Sequence, residues 1–102
     1  MKFKIKNRSG KHIAILMRQL GYRFLKETPD NELVFIKPLS FNSFPRFHIY
    51  LKKIDKNDEF LIKIHLDQKK PIYKGVTPHS GEYDCEIIKK EVKRIENFFK
   101  NV

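Results

Sequence analysis

Two alternating segments joined by a four-residue turn constrain this chain more than any other feature. In 46–54, Phe47, Ile49 and Leu51 fall on one face, and His48, Tyr50 and Lys52 on the other. In 60–67, Phe60, Ile62, Ile64 and Leu66 oppose Leu61, Lys63, His65 and Asp67. Side chains of a strand alternate between faces, so a one-residue slip would expose every apolar group. With a turn at 55–58, the apolar pairs are Leu51–Ile62, Ile49–Ile64 and Phe47–Leu66. The polar face then pairs Tyr50–Lys63, His48–His65 and Arg46–Asp67. A β-hairpin with one apolar and one polar face needs partners on the apolar side only.

The rest of the chain supplies them. Residues 1–6 alternate lysine with apolar residues and read as an edge strand, with Lys2, Lys4 and Lys6 facing water. Residues 10–20 read as a helix, because Ile13, Leu16, Met17 and Leu20 recur at helical spacing, with Ser9 as N-cap and Gly21 as the stop. Residues 22–27 and 32–37 read as a first hairpin around Thr28-Pro29-Asp30-Asn31, and Pro38 ends its second strand. A loop follows at 39–45. Residues 81–100 read as a second helix with Cys85, Ile88, Val92, Ile95 and Phe99 as its stripe. Cys85 belongs to that stripe as a small core residue. The order β-α-β-β-β-β-α predicts one α+β domain over 1–102. It is a two-layer sandwich, with an antiparallel sheet of four to five strands and two helices on one face.

Charge then narrows the function. The formal net charge is +10, and residues 1–26 carry eight basic residues and no acidic one. Residues 46–74 carry eight basic against four acidic residues, whereas 75–102 balance five with five. A basic surface of this kind attracts polyanions through counterion release. No apolar run is long enough for a membrane span, so a membrane partner is not expected. The N-terminus has no apolar signal core, and the single cysteine excludes an intrachain disulfide. A cytoplasmic setting is expected.

Three candidate sites emerge. The first is the polar sheet face, where Arg46, Tyr50, Lys52 and Lys63, extended by Lys69, Lys70 and Lys74, offer cations to phosphates. Tyr50 and the imidazoles offer rings to bases. This favours nucleic acid, RNA in particular. The second is a histidine–carboxylate group of His48, His65, Asp67 and His79. These residue types suit a divalent metal, and His48, His65 and His79 also suit acid–base catalysis in a small hydrolase. No cofactor is otherwise expected. The third is the segment His65–Asp84, which contains a loop at 68–80 that is long for a compact domain; Lys69, Lys70 and Lys74, with Ser80 and Gly81 where the second helix starts, offer a phosphate cradle. As a contact surface, that loop would make the chain a protein-interaction module with a protein partner.

Two resemblances accompany these residues. His65-Leu66-Asp67, Lys70-Pro71-x-Tyr73 and His79-Ser80-Gly81-Glu82-Tyr83-Asp84 resemble a motif of uncharacterised small bacterial proteins, a family that implies no established function. Gly10-Lys11-His12-Ile13, Leu16 and Leu20-Gly21-Tyr22-Arg23-Phe24 are similar to the start of HicA-type toxins. Those are small RNA-cleaving proteins with a double-stranded-RNA-binding-like fold. The resemblance implies an α+β fold of that type. Their catalytic Gly-Ser-His-His is replaced here by Glu27-Thr28-Pro29-Asp30-Asn31, so it does not imply their chemistry.

Overall fold

A computed structural model describes residues 1–68 and 86–102 in full, and the backbone of 81–85. The elements follow the expected order. They are β1 (Lys2–Lys6), α1 (Ile13–Gln19), β2 (Arg23–Glu27), β3 (Leu33–Pro38), β4 (Arg46–Lys53), β5 (Glu59–Asp67) and α2 (Gly81–Lys100). All strand pairs are antiparallel, and the sheet order is β1-β5-β4-β3-β2. The hairpin register is the one a four-residue turn gives, not the two-residue slip that alternation also allows: Arg46 opposes Asp67, His48 opposes His65, and Leu51 opposes Ile62. Its turn is held by Asp55, whose Oδ1 accepts from the Asn57 amide at 2.8 Å, and by the Ile54 N–H to Glu59 carbonyl bond at 2.9 Å.

One core joins both helices to one sheet face. Leu16 and Met17 of α1 and Ile95 and Phe99 of α2 pack with Phe35, Ile49, Ile62 and Ile64. Met17, Ile49, Ile62, Ile64 and Ile95 are at most 0 % exposed. Burying each such side chain stabilises the fold by about 1.5–3 kcal/mol.

Three local features depart from the sequence expectation. Helix α1 starts at Ile13, not near residue 10, and its N-cap is His12, whose Nδ1 accepts from the Ala14 amide at 3.1 Å. Ser9 is unavailable as a cap, because its amide and hydroxyl both donate to Asn7 Oδ1 and its Oγ accepts from the Lys11 amide. Pro38 is the last residue of β3, still opposite Arg46, instead of lying beyond it. Edge strand β2 carries an irregularity between Phe24 and Lys26, a device that discourages further strand pairing.

The two helices are also tied by a buried polar cluster. Tyr22, 1 % exposed, donates its hydroxyl proton to Glu91 Oε2 at 2.6 Å. Arg94 donates to both Glu91 oxygens at 2.8 Å and to the Leu20 carbonyl at 2.8 Å. The carbonyl at the end of α1, an orphan acceptor of any helix terminus, is thereby satisfied.

Candidate nucleic-acid interface

The second sheet face is assembled by register alone. Strand β4 contributes Arg46, His48, Tyr50 and Lys52 opposite Asp67, His65, Lys63 and Leu61 of β5. Strand β1 pairs with the far side of β5 and sets Lys2 opposite Lys63, Lys4 opposite Leu61 and Lys6 opposite Glu59. On the other flank, β3 sets Ile36 beside His48 and Val34 beside Tyr50, and β2 adds Arg23 and Lys26 next to them. Val34 and Ile36 are 0 % and 2 % exposed, although neither belongs to the core shared with the helices. This face therefore has an apolar centre between two cationic flanks.

The flank over β1, β5 and β4 is the denser one. Lys2, Lys4, Lys6 and Lys52 are exposed, and none makes an ion pair among the described residues. Lys63 sits among them and is held by Glu32 at 3.3 Å. Alternate residues of one strand lie about 6.8 Å apart, and neighbouring strands about 4.8 Å. Five ammonium groups thus share one patch of three strands, around Leu61.

The centre is internally committed. Asp67 Oδ2 accepts from Arg46 Nε at 3.1 Å and lies 3.1 Å from His48 Nδ1. The Arg46 guanidinium also stands 4.7 Å over the Phe44 ring. His48 stacks on Tyr50 with centroids 4.8 Å apart, and His65 meets the edge of Tyr50 at 6.1 Å. Burial, then the positive charge of its neighbours, holds the His65 imidazole below its ordinary value, with Asp67 acting in the opposite sense. Arg46 is thus engaged by Asp67, the residue it was expected to oppose.

The histidine–carboxylate group is only partly brought together. Asp67 orients His48, as a carboxylate orients a general base. Yet His48 Nε2 is enclosed and has no hydrogen-bond partner, so it faces no open site. Among the described residues no three His, Cys, Asp or Glu side chains are grouped to hold a metal ion. Lys69, Lys70, Lys74, His79 and Ser80, and the side chain of Cys85, lie outside the described residues.

The sequence shows Lys2, Lys4, Lys6, Arg23 and Lys26 as one basic N-terminal segment, apart from Lys52 and Lys63; the sheet order splits that segment between the two flanks. The signal for β1 was present in its alternation, but not the identity of its neighbour. No protein-family model matches the chain, and neither do curated proteins or solved structures. Among the described residues, no helix is long and apolar enough to cross a membrane.

Proposed function

We propose that this protein binds nucleic acid, RNA in preference, through the helix-free sheet face. The observation that carries this reading is the convergence of Lys2, Lys4, Lys6, Lys52 and Lys63 on one patch of three adjacent strands. Three carboxylates stand against this charge: Glu32 is engaged by Lys63, Asp67 by Arg46 and His48, and Glu59 lies opposite Lys6 at the end of the patch. Lysines repeating along β1 have a spacing comparable with successive phosphates of an extended strand. Tyr50, half-buried at the inner border of the patch and stacked on His48, adds aromatic surface for a splayed base. The single cysteine fits a reducing, cytoplasmic setting.

The test is an amide-resolved NMR titration with a short mixed-sequence single-stranded RNA at low and moderate salt. Shifts should cluster on 2–6, 50–52 and 61–65 and fade with salt. Neutralising about four phosphates gives a log–log salt slope of roughly −3 for a single strand. Absence of salt-sensitive binding rejects the reading.

A further inference from the structure

A second concave site lies on the opposite, helix-bearing side, at the end of the sheet where α1 begins. It is a cleft of about 650 Å³. Sites for small molecules are typically about 300–1,000 Å³. Its floor is the edge of the core: half-buried Leu33, with Ile13, Leu51 and Phe60 beneath it, each at most 6 % exposed. Its rim comes from three separate parts of the chain: the segment before α1 with Lys11 and His12, the end of β2 and its turn with Glu27 and Asn31, and the end of β4 and its turn with Lys53 and Asp58.

The walls are held by bonds that leave the rim groups unspent. Asn7 Nδ2 donates to the Lys11 carbonyl at 2.7 Å, and the Asn7 amide donates to the Asp58 carbonyl at 2.9 Å. The β2–β3 turn is closed by the Glu32 amide on Thr28 Oγ1 at 3.0 Å and by the Asn31 amide on the Thr28 carbonyl at 3.0 Å. Lys53 and Asp58 neutralise each other at 3.0 Å. The Lys11 ammonium, the Glu27 carboxylate and the Asn31 carboxamide have no partner among the described residues. His12 accepts a hydrogen bond at Nδ1, so its ring proton is on Nε2, a free donor.

The recognition chemistry is specific in kind. An apolar floor takes the flat face of a ring system. An unpaired carboxylate beside a carboxamide takes ring N–H and amino donors. One unpaired ammonium with one imidazole N–H takes a single anionic group, and a second cation is already consumed by Asp58. We propose that this cleft binds a nucleoside monophosphate, with its base against Leu33, its base edge toward Glu27 and Asn31, and its phosphate toward Lys11 and His12. The side chains supply the phosphate contacts; the short helix α1 is not invoked. The site lies on the other side of the sheet from the lysine patch and does not depend on RNA binding there.

The test is an amide NMR titration of the full chain with GMP, alongside AMP and inorganic phosphate. GMP should shift amides of 7–13, 27–33 and 53–60. Lys11→Ala and Glu27→Gln, both at exposed positions, should each weaken GMP binding about tenfold, the effect of losing one charge-assisted hydrogen bond. Lys52→Ala, on the opposite face, should leave it unchanged. Unmoved amides at about 10 mM GMP, a concentration that would still detect millimolar affinity, overturn the proposal. So do shifts confined to the Lys2–Lys6 and Lys52 patch. Equal binding of inorganic phosphate also overturns it, because the base would then contribute nothing.

Discussion

Tyr22 and Glu91, sixty-nine positions apart, share a buried 2.6 Å hydrogen bond that closes the seam between the end of α1 and the middle of α2. Burial opposes ionisation of Glu91, but the hydrogen bonds from Arg94 and Tyr22 and the charges of Arg94 and Lys37 outweigh it and hold the carboxyl below its ordinary value. Burial first, then the bond and charge of Glu91, push the Tyr22 hydroxyl far above its ordinary value. Replacing Glu91 by Ala strands the Tyr22 hydroxyl and the inner side of Arg94, and should cost about 2–4 kcal/mol. Tyr22→Phe leaves the Glu91–Arg94 pair in place and should cost about 1–2 kcal/mol. Urea unfolding of the two variants checks the order.

The same pair sets a pH window for stability. Glu91 is lowered in the fold, so its contribution is complete above the ordinary glutamate value and is lost as pH falls through the depressed one. Tyr22 is raised, so its contribution is complete below about pH 10, the unfolded tyrosine value, and declines as pH rises beyond it. Glu91→Gln should flatten the acid limb of a stability–pH curve, and Tyr22→Phe the alkaline limb. Parallel curves for wild type and variants would show that neither group titrates with unfolding.

Asp67 restrains the proposed binding face. Asp67→Asn removes one negative charge and loosens Arg46, so RNA affinity should rise severalfold and the salt slope should steepen by up to about 0.7. The same change should lower stability by about 1 kcal/mol through loss of the partner of Arg46 and His48. Anisotropy titrations in a salt series and urea melts separate the two effects.

The lysine patch makes a position-specific demand. Replacing Lys2, Lys4 and Lys6 together by Ala should flatten the salt slope by roughly 2 for a single strand. A paired change of Lys89 and Lys90 on α2 removes two charges on the other side and should alter the slope far less. Equal losses from both would mean that the net charge binds without a defined face.

Gly21 should resist substitution at a modest cost. Its φ is +98°, and an added Cβ would stand 3.2 Å from Lys37 Cε. Gly21→Ala should cost about 1–2 kcal/mol, mainly from the left-handed backbone, since the lysine chain is able to shift. Thermal melts measure this directly.

How much was legible follows from the range of the forces involved. The faces of the β4–β5 hairpin were readable from alternation, which rules out a one-residue slip but not a slip by two; the four-residue turn gave the pairs found, His48 opposite His65 among them. Gly21 as a helix stop was readable because its reason is local backbone sterics. The start of α1 was not: Ser9 looked like a cap, but Asn7 and Lys11 claim it first, and a hydroxyl serves few partners.

The sequence by itself determined the elements, the two-layer class and which side of each strand is apolar, because period and turn chemistry act over a few residues. Only the tertiary structure decided that β1 docks on β5 and so puts Lys2, Lys4 and Lys6 beside Lys63 and Lys52. Strand order is chosen by how the whole apolar surface is covered at once, which no single segment encodes. It likewise decided the meeting of Tyr22 with Glu91 and Arg94, and the gathering of three separate parts of the chain around the cleft at Phe60. Those contacts join residues far apart in the chain, and they exist only once the core has brought the layers together.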